Sequence, residues 1–370
     1  MPGLNNPIGI KSLEPSQSPF IMNPYRFAGG GGVGGWVELA RTTLGSAADD
    51  INVSSISDKR YYMVLTDFQE SSNIQPGIRL GNSSLDSGAN YAERWSTNGG
   101  AELTVSSNTY HLQWVDVSGK TKPIFGVSYI ANKSANEKLG ISHVMNPNTA
   151  GASNAPDRQE SVFKWTNTSN PLDILGYNNK GSGDFNTGSE VVVLGWDPAD
   201  THTTNFWEEL ASVTLGSDGD VLSSGTISAK KYLWVQAFIK NSGTSARFNT
   251  EMTFNGDTGS NYAERRSLDG SADATSTSQS KIMSSGVTGS DDDLWVLNMF
   301  VVNNSATEKL CIGHGFDTYA GSGAGTAPSQ RFEKVAKWAN TSSQITNITI
   351  TNSDTSNYDA ISELRVWGSD

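Results

Sequence analysis

One cysteine, Cys311, stands alone in 370 residues. A single thiol excludes an intrachain disulfide and any zinc cluster built on paired cysteines. The chain is therefore expected to be made in a reducing compartment, or to hold its fold without covalent staples. Histidine is scarce too, at four residues. Neither His-x-His nor His-Glu-x-x-His occurs, so no metal centre is expected. Lys and Arg number 26 against 38 Asp and Glu, a net charge of −12. Phosphate backbones repel such a chain and no basic block offsets the repulsion, which excludes nucleic acid as a partner. No run of 18 apolar residues exists, so no membrane span or membrane partner is expected. The N-terminus lacks a basic region, and Pro2, Pro7, Pro15, Pro19 and Pro24 interrupt any apolar run, unlike a secretion signal. Gly-x-Ser-x-Gly, the P-loop and the dinucleotide fingerprint are missing as well. The glycine run from Gly29 to Gly35 precedes no helix that would hold a phosphate. No cofactor is expected.

What is present is strand and turn chemistry. The chain has 38 Gly, with 13 Phe, 11 Tyr and 10 Trp that need burying. Self-comparison then shows a duplication. At a shift of 171 residues Trp36 meets Trp207, and Asn90-Tyr91-Ala92-Glu93-Arg94 meets Asn261-Tyr262-Ala263-Glu264-Arg265. Glu137-Lys138-Leu139 meets Glu308-Lys309-Leu310, and His143 meets His314. A two-residue insertion moves the shift to 173, where Lys164-Trp165 meets Lys337-Trp338. Copy one is read as 35–197, a short polar linker as 198–204, and copy two as 205–370. A unit of about 165 residues buries roughly 70% of its unfolded surface, enough for a core of its own. The short linker predicts a fixed pair.

Residues 1–34 lie outside the repeat. Their prolines favour extended geometry and the glycine run a hinge. Phe20, Ile21, Met22, Tyr25 and Phe27 read as anchors that bury when this arm meets a partner.

Within each copy short β-branched and aromatic runs recur between Gly, Asn, Ser and Asp. Tyr61 to Thr66 matches Tyr232 to Ala237, and Ile124 to Ile130 matches Trp295 to Val301. No segment keeps a 3.6-residue apolar period. The fold class is therefore all-β: two tandem antiparallel β-sandwich domains, jelly-roll-like with about eight strands each, behind an extended N-terminal arm. In Asp86-Ser87-Gly88 and Asp257-Thr258-Gly259 the Asp is expected to cap its own backbone and the Gly to take positive φ.

The chemistry-bearing residues have bland readings. His143 and His314 share strand parity with aliphatic residues and read as core-edge side chains. Glu93/Glu264, Glu137/Glu308 and Glu190/Glu363 recur, but nothing sets two of them across one sugar. Because Glu93 and Arg94 point to opposite sheet faces, Glu93 and Glu264 read as surface or interface groups. Asp291-Asp292-Asp293 matches no calcium-loop spacing and reads as a solvated turn. Trp165 and Trp338 are candidate surface aromatics that could stack on sugar rings, or else cover an open end of the sandwich. No residue set supports catalysis, and the chain reads as a structural or binding protein, not an enzyme.

The repeated Trp-x-Glu-Leu, Asn-Tyr-Ala-Glu-Arg, Glu-Lys-Leu-x-Ile-x-His and Lys-Trp-x-Asn-Thr-Ser, with Asn23-Pro24-Tyr25-Arg26-Phe27 in the arm, resemble virion proteins of marine tailed phages. The resemblance implies a capsid-decoration or tail-fibre component on the virion surface, made in the host bacterial cytoplasm. It implies other virion proteins as partners. Parts with such arms commonly assemble with cyclic symmetry, so a homo-oligomer such as a trimer is expected. The duplicated aromatics Trp165 and Trp338 motivate the alternative, a glycan-binding adhesion module for host attachment.

Overall fold

The computed structural model describes residues 35–69, 73–113, 123–198, 200, 204–243, 248–283, 293–318, 324–325 and 327–370. The arm residues Phe20, Ile21, Met22, Tyr25 and Phe27 lie outside them, as do Asp291 and Asp292.

Among the described residues there is no helix. The antiparallel sandwich expected from the sequence is the architecture found. In copy one a large sheet runs in the order Val37–Thr43, Glu190–Trp196, Tyr61–Phe68, Ile124–Ala131, Lys138–Asn146, Asp157–Trp165, Tyr91–Thr97 and Leu103–Asn108. A small sheet of Asp50–Val53, Ile174–Asn179, Pro76–Asn82 and Ser84–Leu85 covers one of its faces, with His111–Leu112 added on Pro76–Asn82. Copy two repeats the order: Glu208–Thr214, Glu363–Ser369, Tyr232–Lys240, Leu294–Val302, Lys309–Asp317, Gln330–Trp338, Tyr262–Leu268 and Ala274–Gln279. Its small sheet is Val221–Ser223, Ile348–Asn352, Thr250–Phe254 and Ile282–Met283. Even irregularities recur, for the register shifts between Glu38 and Ala40 and again between Glu209 and Ala211. Thirteen described strands in copy one and twelve in copy two exceed the expected eight. Two-residue strands and short hairpins were too brief to show a period in the sequence.

Three apolar clusters hold the molecule. Between the sheets of copy one lie Val53, Val64, Phe68, Ile78, Tyr177 and Val193; between those of copy two lie Leu233, Val235, Phe254, Met299, Ile350 and Leu364. The third lies between the copies and joins the outer faces of the two large sheets. It explains a pattern that alternation cannot. Tyr62 and Val64 face one core while Met63 and Leu65 face another, so the strand is apolar on both sides.

The repeated motif is a staple. Gly88 N–H donates to Asp86 Oδ1 at 2.8 Å, and Gly259 N–H to Asp257 Oδ1 at 2.8 Å. Each Asp also accepts a tryptophan Nε1–H at 2.7 Å, Asp86 from Trp165 and Asp257 from Trp338. Tyr91 OH accepts from Leu80 N–H at 2.9 Å, and Tyr262 OH from Phe254 N–H at 3.0 Å. The capping Asp is as the turn chemistry predicts, but Gly88 and Gly259 do not take positive φ. A Cβ there would stand 2.8 Å from the amide of Asn90 or Asn261, so close approach demands the glycines.

Burial opposes ionisation of Asp86 and Asp257. The indole, backbone and Asn donors outweigh it and hold both carboxyls below the usual range. A group lowered in the folded state stabilises above its unfolded value, and that stability is lost as pH falls through the folded value. Trp338→Phe removes one donor from Asp257 and is expected to cost about 1–3 kcal/mol. Urea titrations should show a larger gap from wild type at pH 7 than at pH 2. An equal gap at both would mean that the indole acts by volume alone.

Candidate functional site

The two copies meet unsymmetrically, and that asymmetry creates the site. Copy one contributes Met63, Leu65, Phe125, Val127, Met145, Val192 and Leu194 to the shared cluster. Copy two answers with Trp234 and Trp367, the counterparts of Met63 and Leu194, and with a further part of the same sheet: Trp207, Tyr232, Phe300, Leu310, Ile312 and Val335. By the repeat, the last six correspond to Trp36, Tyr61, Tyr129, Leu139, Ile141 and Val162, which lie outside the core of the shared cluster. In copy two that surface is buried against copy one. In copy one Trp36 and Tyr129 are half-buried at the edge of the shared cluster, and no described residue covers the rest. Leu139 is 54% exposed, Ile141 48%, Val162 48% and Tyr61 38%, whereas Leu310 and Tyr232 are at 0% and 1%.

The open face is concave. It encloses a groove of about 770 Å³ lined by all six residues, by Trp196, and by Arg94 and Lys164. Tyr61 stacks on Trp196 with centroids 5.5 Å apart, and Trp36 leans on Tyr129 at 6.3 Å. The walls are aromatic and aliphatic with few polar groups, as in pockets that bind by burial. Contiguous apolar surface of this kind marks an interaction site on a soluble protein. The parity of the strand explains the exposure. Lys138, Gly140 and Ser142 point inward, so Leu139 and Ile141 must point out. The inward Gly140 has no room for more, since a Cβ would meet the Phe163 ring at 2.2 Å.

At the edge of the shared cluster the copies exchange charge. His143 and His314 meet ring to ring at 4.2 Å, so the pair sits at the junction of the copies and not at the edge of a single core. Arg158 of copy one grips Asp273 of copy two through two bonds, 2.9 and 2.7 Å, and also contacts Glu160 and Glu333. Arg265 Nε–H donates to the Pro156 carbonyl at 2.7 Å. Lys337 Nζ donates to the carbonyls of Pro147 and Thr149 at 2.8 and 2.6 Å. Glu190 takes Tyr232 OH at 2.8 Å and lies 3.1 Å from Lys231 Nζ. On the linker side Phe206 N–H donates to the Trp36 carbonyl at 2.7 Å.

Of the acidic residues, histidines and tryptophans singled out as candidates in the sequence, Glu93 alone lines the groove. Trp165 and Trp338 are 1% exposed, so neither is a surface platform for a sugar. Each ends a strand on the inward parity and spends its N–H on an Asp, which corrects the candidate reading toward packing. Glu93 and Glu264 are buried, not surface groups, because they share parity with the inward Tyr91 and Tyr262. Glu137 meets Lys164 at 3.1 Å on the surface of copy one. Asp293 is buried. Among the described residues no three His, Cys, Asp or Glu side chains are grouped to hold a metal.

One arrangement escaped sequence reasoning. Ser161 Oγ lies 3.2 Å from His111 Nε2, and His111 Nδ1 contacts Glu93. The order resembles a nucleophile, a base and an orienting carboxylate. Yet His111 is 0% and Ser161 5% exposed, and neither lines the groove. In copy two Ile282 and Lys334 take these places, and Lys334 Nζ pairs with Glu264 at 3.1 Å. The repeated element is thus a buried carboxylate, with a different counter-group in each copy. His111 has no histidine partner in the repeat, so self-comparison could not find it.

No protein-family model matches the chain, and no curated protein matches it. Among solved structures it is similar to domains LG4-5 of the mouse laminin alpha1 chain, at 10% identity, 90% coverage of each chain and a TM-score of 0.21. That likeness is too slight to bear on function.

The junction has two opposed pH signatures. Burial lowers His143 and His314 below their usual value; the His314 ring and Arg158 add to the effect on His143. Both imidazoles take up a proton less readily folded than unfolded, so they withdraw stability as pH drops below about 6.5. Burial pushes Glu160 up to about 7; Arg158 resists and Glu333 reinforces the rise. The unfolded chain releases that proton from 4.5 upward while the folded chain keeps it. Glu160 therefore withdraws stability as pH rises from 4.5 to about 7. Denaturation across pH 4–8 should show His143→Gln flattening the loss of stability toward acid pH and Glu160→Gln flattening the loss contributed as pH rises from 4.5 to about 7. If neither slope changes, the junction does not titrate as described.

Proposed function

We propose that this chain is a structural component of a tailed-phage virion, of the capsid-decoration or tail-fibre kind, and that copy one joins it to a neighbour. The observation that carries the reading is the open apolar face. Copy two buries the same surface completely, so burial is what that surface is built for. Leaving it open in copy one provides a joining face on a fold already stabilised by three apolar clusters. The resemblance to virion proteins supplies the setting. The arm, with Phe20, Ile21, Met22, Tyr25 and Phe27, supplies a second apolar attachment to other virion proteins or to further copies in a homo-oligomer.

A second reading has its own observation. Tyr61 stacked on Trp196 inside a groove is the arrangement that receives a sugar face, which favours a glycan-binding adhesion module for host attachment.

Two measurements separate them. Particles assembled with Ile141→Asp, Val162→Asp protein should lose it from the virion at least tenfold while its circular dichroism stays that of β-sheet; normal incorporation would count against assembly through this face. Glycan-array binding abolished by Tyr61→Ala with particles intact would establish the second reading in its place.

A further inference from the structure

We infer that the open face of copy one receives a further sandwich unit of this repeat, carried by a different protein, whose sheet is apolar at the places of Leu65, Val127 and Val192.

The junction inside the chain shows what such a face takes. Copy two receives copy one there on its six apolar residues and on a charged border. Lys337 Nζ donates to the Pro147 and Thr149 carbonyls at 2.8 and 2.6 Å, and Glu308 accepts from Gly151 N–H. Arg265 donates to the Pro156 carbonyl at 2.7 Å, and Asp273 holds Arg158 at 2.7 Å. By the repeat, these four border residues correspond to Lys164, Glu137, Arg94 and Glu102 in copy one. Lys164 and Arg94 line the groove there. With no sister unit to hold, the four pair among themselves: Lys164 with Glu137 at 3.1 Å and Arg94 with Glu102 at 2.6 Å. Ion pairs as exposed as these are weak and exchange readily for the groups of a partner.

Duplication lets the two sides of the junction be compared. The receiving face is the same in both copies. Of its six apolar pairs only Tyr129 and Phe300 differ, and of its four charged pairs only Glu102 and Asp273, which keep their sign. The offered face is not the same. All seven residues that copy one gives to the shared cluster are replaced in copy two, Met63 by Trp234, Leu65 by Gln236, Val127 by Asn298 and Val192 by Arg365 among them. A sheet face left in water has no packing reason to hold Leu139, Ile141 and Val162, or to border them with the same charges. Copy one holds both, so its open face is equipped for the contact that copy two makes.

The chemistry of the partner follows from the same contacts. It needs an apolar sheet face, an arginine for Glu102, and loop carbonyls for Lys164 and Arg94. It also needs a carboxylate for Tyr61 OH, as Glu190 serves Tyr232 OH at 2.8 Å. A second copy of this chain does not supply that surface. The offered face of copy one is buried in its own junction. Copy two has Gln236, Asn298 and Arg365 where the apolar centre belongs, and polar groups are costly to bury without partners. The inference rests on the joining role proposed above and names the kind of neighbour that is joined.

Thiol labelling tests it. Cys311 is buried and burial pushes its thiol pKa up, so it stays silent. A three-unit chain, residues 1–204 followed by residues 34–370, offers its middle unit the apolar face in question through the linker that already joins copy one to copy two. Val162→Cys in that middle unit should label at least tenfold more slowly than Val162→Cys in the two-unit chain. Equal rates in a three-unit chain with the circular dichroism of β-sheet would overturn the inference. A second variant needs no added unit: Phe300→Tyr with Asp273→Glu gives copy two the receiving face of copy one. Val335→Cys, buried in the junction, should then label as slowly as it does without those two changes. Labelling more than tenfold faster would mean that the face of copy one cannot hold a sister unit. In the two-unit chain, Val162→Cys labelling that slows as protein concentration rises would give the face to a second copy and overturn the choice of partner. Particles that lose the Ile141→Asp, Val162→Asp protein while the three-unit chain labels at full rate would keep the joining role and remove this partner alone.

Discussion

The outer face of the large sheet is the constraint on which the rest of this molecule turns. A sandwich normally hides one face of each sheet and wets the other. Here the second face of each eight-stranded sheet is apolar as well. Met63, Leu65, Trp234 and Phe300 would stand in water if either copy were alone. At about 25 cal/mol per Å² of apolar surface removed from water, each large side chain hidden there contributes about 1.5–3 kcal/mol. The pairing of the copies is thus part of the fold and not a loose tether. It explains why a linker of only a few residues suffices and why charged groups as buried as Arg158 and Asp273 can be accommodated at its edge.

The same constraint separates what the amino-acid sequence showed from what it hid. Duplication, strand runs and Asx turns are local or self-similar, so Trp36 with Trp207, or Asp86 with Asp257, could be matched without knowing any packing. Facing is not local. Leu139, Ile141 and His143 alternate with Lys138, Gly140 and Ser142, which reads as an inward apolar stripe. The sandwich instead takes the small and polar set inside, because the Phe163 ring fills the space above Gly140 and Lys138 Nζ finds the Asn136 and Asn167 carbonyls at 3.0 and 3.2 Å. Alternation fixes two faces but not which one is wet.

The candidate site was hidden for a related reason. Its residues are ordinary strand aliphatics and rings, each with a counterpart in the other copy, and nothing in their spacing separates a covered face from an open one. Only the offset between the copies distinguishes Ile141 from Ile312. Trp165 and Trp338 drew notice as duplicated aromatics, yet duplication marked them as parts of the common staple. Glu93 with His111 shows the converse: a buried acid recurs while its counter-group changes, so comparison of the copies finds one half of the pair and misses the other.

The surface that copy one offers to its twin is only partly repeated in copy two. Where copy one has Leu65, Val127 and Val192 in the shared cluster, the corresponding residues are Gln236, Asn298 and Arg365. Gln236 Nε2 donates to Asn298 Oδ1 at 3.0 Å, and Arg365 pairs with Glu363 at 3.3 Å. The stack is consequently a row with a stop at one end. A third unit laid on copy two by the contact that joins the first pair would set apolar side chains against Gln236, Asn298 and Arg365, a cost that disfavours head-to-tail growth at that end.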